Sequence, residues 1–99
     1  MAYRIAPEAE AELDDIWYYI AKESGSIEIA DGVIDSFTDR FFLLARFPQM
    51  GRRRDEDLRP GLRSFVGGEY VIIYRVGDGD VLILHVLRGS RDLGALFRY

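Results

Sequence analysis

An α+β fold is predicted: a short N-terminal strand, an antiparallel helical hairpin packed on a small antiparallel β-sheet, all in one domain spanning residues 1–99. Three observations predict it. Apolar residues recur at helical spacing through the first half of the chain, and the period changes to that of strands after residue 61. Breaker residues stand between the pieces: Ser24-Gly25-Ser26, Phe47-Pro48, Gly67-Gly68 and Gly77-Asp78-Gly79-Asp80.

Tyr3-Arg4-Ile5 alternates and meets Pro7, which reads as a short strand followed by the first position of a helix, where a missing N–H costs nothing. Glu8, Glu10 and Glu12 lie in the first turns, where the helix dipole favours carboxylates. Ala9, Leu13, Ile16, Trp17 and Ile20 form one apolar face of a helix ending near Glu23, with Gly25 as its terminator. A second helix starts at about Ser26. Its stripe is Ala30, Val33, Ile34, Phe37, Phe41, Leu44 and Ala45, and Phe47-Pro48 stops it. So short a connection makes the two helices antiparallel neighbours.

Residues 51–61 (GRRRDEDLRPG) are polar and charged and read as a loop. Strands are predicted over 62–66, 70–76 and 81–87, the last two joined by a hairpin turn. Ser90 can cap a short helical or extended tail, residues 91–99. The last two strands are apolar on both faces. Strict alternation places Val81, Ile83, His85 and Leu87 on one face and Leu82, Leu84 and Val86 on the other. One helical hairpin covers one side of a sheet. The other side needs cover either from a second chain or from this chain's own loops and tail, the tail carrying Leu93, Leu96 and Phe97.

Composition narrows the chemistry. The chain has no cysteine and one histidine, which removes disulfides, thiol catalysis, thiolate zinc sites and His-rich metal clusters. No apolar run approaches the ~18–20 residues of a membrane span, and the N-terminus carries acids where a signal peptide is apolar, so a soluble, cytoplasmic protein is expected. Net charge is −4, unevenly shared. Residues 1–45 hold three bases and ten acids; residues 46–99 hold ten bases, all arginine, and seven acids. Arginine's planar fork suits carboxylates and phosphates, so Arg59, Arg63, Arg75, Arg88 and Arg91 are candidate binding residues. An acidic pI near 4.9 argues against a general nucleic-acid binder.

Catalytic candidates are few. Ser90 lacks the spacing of a nucleophile elbow, and no phosphate-binding glycine loop or calcium loop is present. Acid–base cleavage of RNA needs a proton carrier beside the arginines. His85 is the nearest one, in a setting that reads as a hydrogen-bonded sheet residue. No catalytic residue is assigned, and binding is favoured over catalysis.

Tyr3-Arg4-Ile5-Ala6-Pro7, Leu13-Asp14-Asp15-Ile16-Trp17, Ala45-Arg46-Phe47-Pro48-Gln49-Met50-Gly51-Arg52, Leu58-Arg59-Pro60-Gly61-Leu62-Arg63, Gly68-Glu69-Tyr70-Val71-Ile72-Ile73-Tyr74-Arg75-Val76 and Val86-Leu87-Arg88-Gly89-Ser90-Arg91-Asp92-Leu93 follow one another in an order and spacing that is similar to ParE-type toxins of type II toxin–antitoxin systems, in the RelE/ParE superfamily. The resemblance spans almost the whole chain. It implies the same fold, inhibition of DNA gyrase, and neutralisation by a ParD-like antitoxin whose C-terminal segment wraps the toxin. It implies no cofactor, no metal and no membrane, and no direct nucleic-acid contact except through the antitoxin complex.

Antitoxin carboxylates are expected on Arg59, Arg63, Arg88 and Arg91, and the end of the tail, Phe97, Arg98 and Tyr99, is expected to serve gyrase inhibition. The related RelE branch implies the alternative, a ribosome-dependent mRNA endonuclease. Its sites look like a basic cluster with a tyrosine, histidine or glutamate near the tail, where this chain has Leu93 and Phe97. A third reading is a folded interaction module without toxicity.

Overall fold

The computed structural model describes residues 1–89 and Leu93. Strand β1 (Ala2–Ile5) leads into helix α1 (Pro7–Ser24), and α2 (Ile27–Arg46) follows after a two-residue link. The sheet is completed by β2 (Arg52–Arg53), β3 (Leu62–Gly67), β4 (Tyr70–Val76) and β5 (Asp80–Arg88).

Local chemistry sets the helix ends. Pro7 opens α1 behind an extended Ala6. Gly25 closes it at φ 68°, a left-handed conformation that a side chain would strain, and its N–H reaches the Ala21 carbonyl at 2.9 Å. One residue later the Ser26 hydroxyl accepts the Ile29 N–H at 3.2 Å and caps α2. Trp17 Nε1 donates to Asp31 Oδ1 at 2.8 Å, tying the two helices together.

The strand order is β1-β5-β4-β3-β2. The predicted fold class holds, with two refinements. The N-terminal strand pairs with β5 in parallel, Tyr3 opposite Val81 and Ile5 opposite Ile83, so the sheet is mixed rather than wholly antiparallel. Within the segment read as a loop, Arg52 and Arg53 pair with Ser64 and Arg63 as a two-residue edge strand.

Both predicted helical stripes face the sheet. Ala9, Ile16, Phe37, Phe41 and Leu44 pack with Tyr70, Ile72, Tyr74, Val81, Ile83 and Val86 in the main core. The back of the sheet holds a smaller cluster, Leu62, Val71, Ile73, Leu87 and Leu93, with Leu58 and Leu84 against it. Of the two covers proposed for this side, the chain itself supplies one, through Leu58 and Leu93. Leu96 and Phe97 lie outside the described residues.

Strict alternation fails in β5. A bulge breaks the β4–β5 register between Ile73, opposite His85, and Tyr74, opposite Ile83, so Leu84 has no partner in the ladder. One extra residue reverses the faces beyond it. Val86 therefore joins Val81 and Ile83 in the main core, while Leu87 turns to the back. This corrects the assignment of Leu87 to the face of Val81 and Ile83.

Candidate functional site

The bulged end of β5 faces α1 across a groove of about 400 Å³, lined by Glu12, Asp15, Ile16, Tyr19, Tyr70, Val86, Leu87 and Arg88. Its floor is apolar, from Ile16 and Val86. Arg88 stands at its mouth with the guanidinium 5.4 Å from the centre of the Tyr19 ring and 6.0 Å from that of Tyr70, both within cation–π reach. Glu69 is 3.8 Å from the same guanidinium. That pair is mostly exposed, so it holds Arg88 only weakly. Between the two rings the guanidinium stays about half exposed.

Glu12 reaches this site from α1. Its Oε1 accepts the Val86 N–H at 3.0 Å, and its Oε2 lies 2.9 Å from His85 Nδ1. A carboxylate partner assigns the proton to Nδ1. His85 is thus a hydrogen-bonded sheet residue, as its setting in the sequence predicts. Because β1 ends at Ile5, opposite Ile83, the β5 edge at Val86 has no neighbouring strand among the described residues, and the Glu12 carboxylate takes the strand's place.

Arg63 and Arg88 do not converge. Arg63 lies opposite Tyr74, and Arg88 opposite Tyr70, so they stand four residue steps apart along the sheet with β4 between their strands. Arg63 is half-buried, and its Nη1 donates to the carbonyls of Gly51 at 2.8 Å and Gln49 at 3.3 Å, binding the turn after α2 to the sheet. Tyr74 works on the same turn: its buried hydroxyl donates to the Pro48 carbonyl and accepts the Gly51 N–H, each at 2.8 Å. Burial raises the phenol's pKa above its ordinary value, with the Gly51 hydrogen bond and Arg63 opposing the shift.

Arg59 is exposed on the loop after β2, and Arg75 is exposed near the end of β4. That loop is folded by charge. Asp55 accepts the Gly61 N–H at 2.7 Å and Arg53 Nε at 2.7 Å, and these bonds, Gly61's first, hold its carboxyl below the usual range. Arg54 lowers Asp57 in the same way and also donates to the Ser64 hydroxyl at 3.0 Å. Arg91, Phe97, Arg98 and Tyr99 lie outside the described residues.

Sequence reasoning missed Glu12, grouping it with the dipole-favoured acids of the first turns. The signal was present: Glu12 stands three residues after Ala9 and four before Ile16, inside the apolar stripe of α1. Among the described residues, no group of three or more His, Cys, Asp or Glu side chains could hold a metal ion. No helix there is long and apolar enough to cross a membrane.

Fold and site define a small α+β protein with an arginine-topped groove between a helix and a sheet edge. The family profile of the ParE toxin of type II toxin–antitoxin systems, parDE, matches residues 3–93, and the chain belongs to that family. It is 38% identical over 93 residues to toxin ParE1 of Caulobacter vibrioides, covering 94% of each chain. Toxin ParE3 of the same organism is 34% identical over 84 residues, 85% of this chain and 82% of that one. Toxin ParE1 of Mycobacterium tuberculosis is 30% identical over 92 residues, 92% of each. A solved structure described as the chromosomal ParDE system of P. aeruginosa shares the fold, with a TM-score of 0.76 at 22% identity over 89% of this chain and 95% of that one.

Proposed function

We propose that this ParE-family toxin acts by docking rather than by covalent chemistry: it inhibits DNA gyrase and is neutralised by a ParD-like antitoxin. Such a target puts it in the cytoplasm. One observation carries the docking reading. The groove at β5 joins an apolar floor (Ile16 and Val86) to an exposed guanidinium stacked on Tyr19 and Tyr70. An amphipathic acidic segment fits it, its apolar side chains filling the floor and a carboxylate meeting Arg88. Arg59 and Arg91 are kept as further antitoxin-binding candidates, whereas Arg63 spends donors on the turn after α2. Phe97, Arg98 and Tyr99 are assigned to gyrase inhibition.

The alternative, a ribosome-dependent nuclease, needs a proton carrier beside Arg88. His85 faces Glu12, whose carboxylate also holds the Val86 amide, which suits a structural pair; the groups beside Arg88 are the phenols of Tyr19 and Tyr70, so assay decides between the two readings. A gyrase supercoiling assay with the purified chain, with and without a ParD-like antitoxin, tests the proposal. Supercoiling should stop and be restored by the antitoxin. Intact supercoiling together with cut transcripts in a translating extract would favour the nuclease. Arg88→Ala should weaken antitoxin binding about tenfold or more by calorimetry.

A further inference from the structure

The end of β5 that carries Arg88 has two conceivable registers. In the observed one Ile72 is opposite Val86 and Tyr70 opposite Arg88. If the bulge closed, pairing would continue in step from Ile83: Ile72 would face His85, and Tyr70 would face Leu87. His85 and Leu87 would then turn toward the helices, and Leu84 and Val86 toward the back. That is the arrangement strict alternation suggests. Leu84, Val86 and Leu87 are apolar whichever way they turn, so burial of these three discriminates only weakly between the registers, although His85 would have to take the place of Val86 in the core.

The Val86 amide does discriminate. In the observed register it points away from β4, past the end of β1, to Glu12 Oε1 at 3.0 Å, while Oε2 meets the His85 ring at 2.9 Å. In the closed register that N–H would turn inward to the β4 ladder, since inward- and outward-pointing amides alternate along a strand. Glu12 would then lose its hold on Val86. From the observed geometry we infer that Glu12 is a positioning residue, whose carboxylate selects the bulged register and so seats Arg88 over Tyr19 and Tyr70. Only the use of Arg88 for partner binding rests on the docking reading; the register is a property of the free chain.

The test is therefore made without a partner, by NMR on the full chain. The natural protein should show an Hα–Hα NOE between Ile72 and Val86, a slowly exchanging Val86 amide, and Arg88 δ-protons shifted upfield by the two rings. Glu12→Leu keeps an apolar residue in the α1 stripe. It should lose that NOE, or share it with one between Ile72 and His85, and bring the Arg88 δ-protons back toward ordinary values. Glu12→Gln retains an acceptor oxygen for Val86 and should keep the natural pattern. A folded Glu12→Leu with the Ile72–Val86 NOE and Arg88 shifts unchanged would overturn the assignment. Glu12→Gln behaving like Glu12→Leu would also overturn it. Should Glu12→Leu fail to fold, fast exchange of Val86 in the natural chain decides against the proposal and slow exchange for it. None of these outcomes bears on gyrase or antitoxin binding, so the docking reading stands or falls separately.

Discussion

The two faces of the sheet are both apolar, but they are closed by different means. The front is covered by two capped helices whose stripes interlock with Tyr70, Ile72, Tyr74, Val81, Ile83 and Val86. The back is covered by Leu58, on a loop held by aspartate–arginine contacts, and by Leu93. Front packing rests on apolar area and helix geometry, which salt and acid barely touch. Closure of the back depends on charge, because Leu58 stays in place only while its loop is folded.

The largest effect should come from the front. Phe41→Ala, at a site 1% exposed, should cost about 3–5 kcal/mol in urea unfolding. Tyr74→Phe keeps the ring but strands the Gly51 N–H and removes the donor to Pro48, so a loss of about 1–3 kcal/mol is expected by the same measurement. Leu58→Ala, on the half-buried back cover, should cost about 1 kcal/mol, below the usual range for a fully buried leucine. A loss equal to that of Phe41→Ala would break the contrast between the faces.

The smallest effect is the most selective. Asp55 and Asp57 have lowered pKa values in the folded chain, through Gly61 with Arg53 and through Arg54 respectively. Their contribution is complete above the ordinary aspartate value of about 3.8 and is lost as pH falls through the lower folded values. Acidification in that window should reduce the protection of the Gly61 amide, relative to its intrinsic exchange rate at each pH, before it affects Ile72 or Ile83 on the front. Simultaneous loss would show that the loop is not separately held.

Much of this was legible in the sequence. Gly25, Ser26 and Pro7 mark helix ends by local rules, and the stripes of α1 and α2 point where their spacing says. Arg88 was legible as a binding candidate from its chemistry alone. Its seat was not, because Tyr19 and Tyr70 come to it from 69 and 18 residues away along the chain. The tie that Arg63 makes was hidden for the same reason: nothing in its neighbours says that its guanidinium faces the carbonyls of Gln49 and Gly51. The short strand at Arg52 and Arg53 was hidden in a charged run, since edge pairing to β3 needs no apolar side chain.

The sequence by itself determined the two helices, the three long strands and their turns, since capping, spacing and glycine placement act within a few residues. Only the tertiary structure decided the parallel pairing of β1 with β5, the bulge at Leu84 and the face of the sheet that each residue beyond it meets. A strand apolar on both sides carries no local instruction about which side is in. That instruction came from α1, where one carboxylate within an apolar stripe met an amide the ladder had left open.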